Sequence, residues 1–569
     1  MFWNNIKIAL RNLKKNKVFA AINIVGLAIG LTVYVFGGII VDYEKNHDVF
    51  FANVDRTYTI GSKASPDLNV GIDQINSTWT AVGPIMKTEL GDLDAVARTI
   101  GLEYLVEVDD DRSYKMLRAA DKAFLTIFDF NYVEGDAAAL DDPSSIMLSE
   151  SAAIRYFGKT DVLGETITLN NDHDFFVSAV YANVPQNSHF NSLPVMEVSL
   201  DMIIPISALP RMDEDFDLNG DWNNLSFSNM TYVMLPPELD QGWLQSQLNR
   251  IYDAHFPDGQ KEAIESIFAS PLKNANLSVW DTFGLPLVTA IRLLSLLVLV
   301  IACVNYANLA TAQALGRSRE VGMRKTMGAT QPQLLMQFLI ESVVIASIAM
   351  VFAVAALELL IPIFNNVTNK VLALDYLGTL PWLIATTLLV GLTAGAYPAW
   401  LITRASPIDA LRDVARKGRS GARVRSVMIG AQFAISTFML ALVAVVYFQN
   451  QKMEESSYVF PRDEIYTLSR MQTAEVAERL DTLRNELTNI PGVSTVGYSS
   501  QVPYQQNNST TYFTETQGDD AGRFQVQLMR NSPEFLEAYD IPLLAGRNLS
   551  REIAGDLYES SNEEPQTLN

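Results

Sequence analysis

The chain has 569 residues, of which 49% are hydrophobic and 19% are charged, and its formal net charge is −22. The charge is segregated, because residues 42–281 hold 39 acidic and 15 basic side chains and residues 448–569 hold 19 and 9. Apolar runs and short basic stretches make up the rest. This distribution excludes a soluble enzyme, a nucleic-acid-binding protein and a disordered chain. It predicts a membrane protein with two water-exposed regions.

The first predicted element is an amphipathic helix in residues 1–17. Its apolar side chains recur at helical spacing while its basic side chains occupy another face: Phe2, Ile6, Leu10 and Leu13 against Lys7, Arg11 and Lys14. This pattern predicts a helix that lies in the plane of the lipid headgroups. The apolar run that follows is too long for a signal peptide, so we expect a retained anchor.

Five apolar segments are long enough to cross a bilayer as helices, since a span needs about 20 residues. These predicted spans are 18–41, 285–312, 334–364, 380–402 and 427–448. Basic residues concentrate in the N-terminal segment and in two connectors, 313–333 and 403–426. Because positive charge favours the inner side of a membrane, we expect a cytoplasmic N-terminus and an extracytoplasmic C-terminus. The regions outside the cytoplasm are then 42–283 and 449–569.

The region 42–283 combines strand and helix patterns. Alternating or apolar runs predict strands, and helical spacing predicts helices: strands at 106–110, 145–148, 165–169, 174–184 and 230–235, and helices at 122–130, 149–158 and 245–256. The expected fold is an α+β domain with a subdomain boundary in the polar stretch 211–224. That stretch is rich in oxygen ligands for calcium but lacks the EF-hand order, so a solvated loop is favoured. Cys303 is the single cysteine and lies in a span, so this domain contains no disulfide.

A short internal repeat relates the two extracytoplasmic regions. Residues 124–135 match residues 535–546 in Phe, Leu, an aromatic residue, Asp and Gly at an offset of 411, and the first and fifth spans begin 409 residues apart. We therefore expect the chain to start a second copy of its own plan at residue 427. The second extracytoplasmic domain is expected to be incomplete, with three counterpart spans absent and residues 547–569 disordered.

The connector between the second and third spans carries the most specific motif. Residues 305–342 read NYANLATAQALGRSREVGMRKTMGATQPQLLMQFLIES. This segment closely resembles the signature of MacB/FtsX-like ABC transporter permeases. GAYPA at 395–399, PIDALR at 407–412 and RSVMIGAQF at 425–433 resemble further parts of the same family. The resemblance implies a membrane α-helical protein of the cell inner membrane with a MacB-type periplasmic core domain, and a double-length permease whose second half is truncated.

The resemblance also implies a function by mechanotransmission. In such systems, ATP-driven closure of a cytoplasmic ABC ATPase reshapes the periplasmic domain, and a substrate is exported or extracted. This chain contains no G-x-x-x-x-G-K-[ST] loop, so we expect ATP and magnesium on a separate ATPase and no cofactor, metal or catalytic residue here. The alternative is an FtsX-like regulatory subunit that switches a periplasmic partner, such as a cell-wall hydrolase, without transport. Other expected partners are membrane lipids, a second permease chain or copy, and a periplasmic adaptor or substrate protein.

The connector 313–333 is the predicted docking site for the ATPase. Its charged side chains are the candidates for contact with acidic or basic groups of that partner: Arg317, Arg319, Glu320, Arg324 and Lys325. The same charges could instead serve only topology or contact lipid headgroups. Three polar side chains inside the spans are predicted to pack against neighbouring helices or to pair near the interface: Asn305, Asn308 and Glu341.

Overall fold

The computed structural model describes residues 2–66, 74–109, 111–191, 200–222, 225–226, 228–277, 286–404, 419–457, 464–469, 471, 476, 479–502, 510–513, 524–527 and 529–556. The chain divides into two compact units, Met1–Phe433 and Ala434–Asn569. Most of the predicted connector 403–426 lies outside the described residues.

Helices form the membrane part of the protein and also flank a sheet. In chain order they are α1 (Phe2–Lys15), α2 (Lys17–Lys45), α3 (Val82–Glu89), α4 (Ala123–Phe128), α5 (Glu150–Phe157), α6 (Leu209–Met212), α7 (Gln241–His255), α8 (Asp258–Ala263), α9 (Leu287–Gly316), α10 (Ser318–Thr326), α11 (Gln331–Thr368), α12 (Tyr376–Arg404), α13 (Arg419–Ser457), α14 (Leu480–Thr488) and α15 (Phe535–Ala538).

The strands lie in two sheets, one in each unit. They are β1 (Thr57–Ala64), β2 (Gln74–Ile75), β3 (Ala95–Val108), β4 (Asp111–Ala120), β5 (Tyr132–Glu134), β6 (Ser145–Ser149), β7 (Thr166–Leu169), β8 (His173–Tyr181), β9 (Met202–Pro205), β10 (Met230–Met234), β11 (Ile264–Pro271), β12 (Thr510–Phe513) and β13 (Phe524–Gln527). Every strand and helix predicted in region 42–283 is present, although β3 and α7 begin earlier than predicted.

Five helices in the described part of the chain are long and apolar enough to cross a membrane. They are α2, α9, α11, α12 and α13, and each extends past its predicted span because the helix continues into polar residues at its ends. In the first unit, α2, α9, α11 and α12 form a bundle around a buried apolar cluster. The connector end of this bundle is the end that carries α10, and the domain end is the end next to the sheet.

Small residues let the helices of the bundle approach closely. A Cβ atom on Gly30 of α2 would lie 2.4 Å from the Cβ of Ala302 in α9. A Cβ atom on Gly395 of α12 would lie 2.5 Å from the Cβ of Ser342 in α11. Contacts of this kind favour packing in a membrane, where van der Waals contact between helices replaces the hydrophobic effect. Glycine is therefore required at both positions.

The region between α2 and α9 forms one α+β domain. Its described residues contain an eleven-stranded sheet in the order β11-β1-β10-β3-β4-β9-β6-β8-β5, with β2 beside β1 and β7 beside β3 and β8. The predicted subdomain boundary at 211–224 is wrong. The strand that follows this stretch, β10, pairs antiparallel with both β1 and β3, which precede it. The sheet therefore runs through the whole domain.

Both faces of this sheet are covered, because successive side chains of a strand point to opposite faces. Tyr232 and Met234 lie in a core that α4 covers, whereas Val233 lies in the core under α7. Farther along the sheet, Ala120 joins the first core and Ala119 joins a third core, under α5. Three apolar cores stabilise the domain without a disulfide.

The polar stretch 211–224 forms a turn in its described part, residues 211–222. The backbone amide of Asn219 donates to the Asp217 side chain at 2.8 Å. Gly220 has a φ of +80°, and a Cβ atom there would lie 2.3 Å from the carbonyl of Thr80. Within the described residues, no group of three histidine, cysteine, aspartate or glutamate side chains could hold a metal ion.

The repeated segment adopts the same turn in both units. Asp129 and Asp540 follow α4 and α15 with φ angles of 42° and 52°. Gly135 and Gly546 have φ angles of 77° and 86°. A non-glycine residue rarely adopts a positive φ, so equal conformations at an offset of 411 indicate a common local fold.

The likeness also extends upstream of the repeated segment. In the first unit, the Asp121 amide donates to the Arg98 carbonyl at 3.0 Å and the Arg98 amide donates to the Asp121 carboxylate at 2.9 Å. In the second unit, the Ser532 amide donates to the Tyr498 carbonyl at 2.8 Å and the Tyr498 amide donates to the Ser532 hydroxyl at 2.9 Å. Different side chains thus hold the same backbone corner.

The prediction of disorder after Gly546 is wrong for residues 547–556. Arg547 forms an ion pair with Asp556 at 2.5 Å, and Arg551 forms one with Asp481 at 2.7 Å. The first pair lies within the segment, and the second holds the segment against α14. Residues 557–569 lie outside the described residues.

Candidate coupling site

The predicted connector 313–333 is largely helical, since α9 continues to Gly316 and α10 follows almost at once. After α10, Gly328 adopts a φ of +94°, which lets the chain reverse. Thr330 then caps α11, and its amide donates to the side chain of Gln333 at 3.0 Å. This capping box fixes where α11 begins. The connector therefore has one defined shape on the bundle.

A buried ion pair joins the start of α10 to α11. Arg317 Nη1 donates to both carboxylate oxygens of Glu341, at 3.0 and 3.1 Å. The two side chains are only 17% and 11% exposed. Asn12 of α1 also donates to Glu341, at 3.4 Å. Glu341 therefore joins both α1 and the start of α10 to α11.

Two further basic residues of the connector face the protein itself. Arg324 donates to Glu320 at 2.5 Å and to the side chain of Gln337 at 3.1 Å. Lys325 Nζ donates to the backbone carbonyl of Thr403, at the end of α12, at 2.6 Å. These contacts tie α10 to α11 and α12. The side chain of Arg319 lies outside the described residues.

Among the described side chains of α10 and the residue after it, Glu320, Met323, Thr326 and Met327 are exposed, and Glu320, Met323 and Met327 form one face. Met323 is 50% exposed and Met327, directly after the helix, is 79% exposed. Their spacing of three and four residues places all three side chains on one side of a helix. Methionine is flexible and adapts its shape to a partner, so this face is suited to protein contact. The predicted docking residues were chosen by charge and did not include Met323 or Met327. Their spacing of four residues could have indicated a shared helix face.

The polar residues of α9 face its neighbours in the bundle. The amide nitrogen of Asn305 lies 3.5 Å from where Gly26 of α2 would carry a Cβ. Asn308 is 6% exposed, and its amide nitrogen has no hydrogen-bond partner within the described residues. Between them, the buried hydroxyl of Tyr306 donates to Ser342 of α11 at 2.8 Å. The sequence analysis did not predict the contact between Tyr306 and Ser342.

A second polar cluster, the Glu44 cluster, lies at the domain end of the bundle. It comprises Glu44 of α2, Asn276 of the short 3-10 helix Leu272–Leu277, and Lys370 between α11 and α12. Glu44 is 3% exposed and forms an ion pair with Lys370. Asn276 Nδ2 donates to both the backbone carbonyl and the carboxylate of Glu44, each at 2.9 Å. One carboxylate therefore joins α2, the segment before α9, and the link between α11 and α12.

Asp48 joins the end of α2 to the centre of the sheet. Its carboxylate is fully buried and accepts hydrogen bonds from the Ser188 hydroxyl at 2.6 Å and from His189 Nδ1 at 2.9 Å. The other ring nitrogen of His189 lies 2.9 Å from the hydroxyl of Tyr232 on β10. The end of α2 is thereby attached to a strand of the domain through side-chain hydrogen bonds.

His47, beside this joint, makes the stability of the fold depend on pH. Its Nδ1 donates to the carbonyl of Tyr43 at 2.8 Å. Burial lowers the pKa of His47 below 6.5, although the charges of Glu44 and Asp48 oppose the shift. As pH falls below about 6.5, His47 binds a proton in the unfolded chain but not yet in the folded chain. The free energy of unfolding is therefore expected to decrease from that pH downward until His47 itself is protonated.

Thermal unfolding of the detergent-solubilised protein at about pH 7.5 and about pH 5.5 measures this contribution. His47→Asn, which keeps a donor for the carbonyl but does not titrate, is expected to reduce the difference between the two pH values. His173→Asn serves as the matched control and is expected to retain it. An unchanged difference in His47→Asn would assign the pH dependence to other groups.

Family models match both parts of the first unit. Residues 20–251 match the MacB-like periplasmic core domain, and residues 292–407 match the FtsX-like permease C-terminal domain. With the five apolar helices, these matches define a multi-pass inner-membrane permease. The chain belongs to the MacB/FtsX-like ABC transporter permeases, as the motif in residues 305–342 predicted.

Known relatives match shorter parts of the chain. The macrolide export ATP-binding/permease protein MacB of Campylobacter jejuni subsp. jejuni is 29% identical over 118 residues, which are 21% of this chain and 18% of the relative. An export ATP-binding/permease protein of Pseudomonas fluorescens is 26% identical over 208 residues, 33% of this chain and 31% of the relative. The chain thus matches less than a third of the length of either relative.

Two solved structures are also similar to the chain. A domain of a permease protein from Porphyromonas gingivalis has 21% identity and a TM-score of 0.32, and the match covers 39% of this chain and 91% of that one. The periplasmic region of MacB from Actinobacillus actinomycetemcomitans has 13% identity and a TM-score of 0.30. This match covers 41% of this chain and 95% of that one.

Proposed function

We propose that this chain is the membrane subunit that couples ATP hydrolysis by a separate ABC ATPase to movement of its periplasmic core domain. In this proposal the N-terminus and α10 are cytoplasmic, and the core domain and the C-terminus are outside the cytoplasm. The movement serves export or extraction of a substrate. The observation that carries the proposal is the fixed attachment of α10 to the bundle through the Arg317–Glu341 ion pair.

Contacts along the bundle support transmission of movement from α10 to the core domain. Arg317 and Glu341 fix the connector to α11, while Tyr306 links α11 to α9 near the same end. At the domain end, the Glu44 cluster and Asp48 attach α2 to the domain. Each contact is buried and directional, so relative sliding of these elements would leave polar groups unpaired. A displacement of α10 is therefore passed on rather than absorbed.

The ATPase is expected to bind the exposed face of α10. Residues 1–569 contain no phosphate-binding loop of the G-x-x-x-x-G-K-[ST] type, which supports entry of nucleotide energy through contact with a separate ATPase. Met323 and Met327 supply apolar contact area on an otherwise polar helix, and Glu320 supplies charge at its side. Arg324 and Lys325 support this face from behind by holding α10 against α11 and α12.

The double substitution Met323→Asp with Met327→Asp tests the docking face. Two charges placed in an apolar contact are expected to weaken ATPase binding by at least about 30-fold, as for hot-spot residues. The measurement is recovery of the ATPase with the solubilised permease, followed by titration of the purified pair. Reversal of Arg324 and Lys325 to Glu is expected to weaken binding indirectly, by loosening α10.

The matched control is Met453→Asp, which places the same charge at an exposed methionine of α13 and is expected to leave ATPase binding unchanged. Equal recovery of the ATPase with the Met323→Asp, Met327→Asp variant and with wild type would contradict the docking proposal.

Export and the switching of a periplasmic partner both use this coupling. ATP-dependent uptake of substrate by inverted membrane vesicles distinguishes them, because switching moves no substrate.

A further inference from the structure

A large cavity lies at the domain end of the bundle. Its volume is about 820 Å³, and its walls come from α2, α9, α12, the link before α12 and Asn187 of the core domain. Part of the lining is aromatic, where the rings of Tyr34 and Trp382 stack with their centroids 5.5 Å apart. Aliphatic side chains continue this apolar part: Ile39, Val41, Leu296 and Leu372. Aromatic residues at this level of a membrane helix are typical of the bilayer interface.

The charged residues that line the cavity carry both signs. Arg292 and Lys45 supply two positive charges, and Asp42 and Asp375 supply two negative charges, so their formal sum is zero. One oxygen of Asp42 accepts from Asn46 at 2.8 Å, and one oxygen of Asp375 accepts from a backbone amide of α12 at 3.1 Å. Within the described residues, none of the four charges forms an ion pair.

Arg292 lies near the domain end of α9 and is exposed. It is five residues into α9, which corresponds to about 7.5 Å along the helix. A guanidinium at this depth is costly unless it reaches water, a carboxylate or a lipid phosphate. Its planar donors match a phosphate in pairs. Beside it, Leu293 and Leu296 are 62% and 47% exposed, so apolar surface adjoins the charge.

We propose that this cavity binds a zwitterionic phospholipid. The phosphate accepts hydrogen bonds from Arg292, the ammonium group donates to Asp42 and Asp375, and the acyl chains contact the apolar lining. A purely anionic ligand would meet two carboxylates, and an uncharged apolar ligand would use none of the four charged side chains. A headgroup with both charges offers a partner to lining residues of each sign. The volume lies within the range of about 300–1,000 Å³ that is common for ligand sites.

Lipid titration of the purified, delipidated full chain tests the proposal, with bound lipid counted by native mass spectrometry. Phosphatidylethanolamine is expected to bind more tightly than phosphatidylglycerol. Loss of a charge-assisted hydrogen bond in Arg292→Gln is expected to raise the Kd for phosphatidylethanolamine about tenfold. Arg404→Gln, at the opposite end of α12, is the matched control and is expected to retain wild-type affinity. Equal weakening in both variants would indicate nonspecific lipid around the bundle and overturn the proposal.

Selectivity gives a second, independent readout. The double variant Asp42→Asn, Asp375→Asn keeps Arg292 and is expected to shift the preference towards phosphatidylglycerol. An unchanged preference, or tighter binding of phosphatidylglycerol by wild type, would overturn the zwitterionic assignment.

If Arg292→Gln does not fold, Ala373→Trp fills the cavity from the exposed link before α12 without removing a charge. It is expected to lower phosphatidylethanolamine binding to a similar extent, and wild-type binding would contradict the site.

Discussion

Replacing Glu341 by alanine is expected to destabilise the connector and to disconnect the ATPase from the bundle. The substitution leaves the guanidinium of Arg317 largely buried without its partner, which typically costs about 3–5 kcal/mol. The thermal unfolding midpoint of the solubilised permease should fall, and ATPase recovery should fall with it because α10 loses its fixed position. Both quantities can be measured on the same purified sample.

A second variant separates the positioning role of the pair from its contribution to stability. Replacing both Arg317 and Glu341 by leucine removes both charges, and a buried pair replaced by apolar residues is often neutral for stability. This variant is expected to be stable, yet to respond poorly to the ATPase because no directional contact orients α10. Wild-type ATP-driven function in the double variant would contradict the positioning role, even if Glu341→Ala is unstable.

Glu44→Gln is expected to preserve ATPase binding while reducing ATP-driven movement of the core domain. Glutamine keeps an acceptor for Asn276 but loses the ion pair with Lys370, so the charged contact between α2 and the link between α11 and α12 is lost. Spin labels on the exposed residues Val133 and Val371 report the distance between the domain and this link. Wild type should show an ATP-dependent change in that distance, and Glu44→Gln should show at most a small one.

The control for this experiment is Asp55→Asn, which removes an exposed carboxylate of the same domain. Asp55 lies 3.8 Å from Lys273, and its side chain is 90% exposed. Exposed pairs of this kind contribute about 0–1 kcal/mol, so we expect wild-type movement. An equally large ATP-dependent distance change in Glu44→Gln would show that the Glu44 cluster does not transmit movement.

Local patterns in the sequence predicted five of the eleven strands and three of the six helices between α2 and α9. The run from Ser145 to Leu148 forms β6, and the capped segment from Ser149 forms α5, because neighbouring residues decide both. The repeat at an offset of 411 predicted a second copy of the same plan, and the structure shows that the repeated segments share a turn with positive φ at Asp129 and Asp540. These features depend on residues that are close in sequence, and sequence periodicity reports them directly.

Contacts between distant segments were not predictable in the same way. The subdomain boundary was misplaced because β10 pairs with strands more than 100 residues earlier, and no local pattern encodes that pairing. The basic residues of the connector were expected to face a partner, but the structure directs Arg317 and Lys325 towards the bundle. Their direction depends on how α10 lies against α11 and α12. For the same reason, charge counting did not reveal Met323 and Met327 as the exposed face.

The close approach of Gly30 and Ala302 has a kinematic consequence. Gly30 lies 13 residues after Lys17 and 15 residues before Lys45, and Ala302 is similarly central in α9. At 1.5 Å per residue, the contact divides α2 into arms of roughly 20 and 22 Å. The same two helices also approach closely nearer the domain end, where a Cβ atom on Gly37 would lie 2.7 Å from the Cβ of Ser295. Close packing at two levels hinders sliding of one helix past the other, so we expect α2 and α9 to tilt together as one lever.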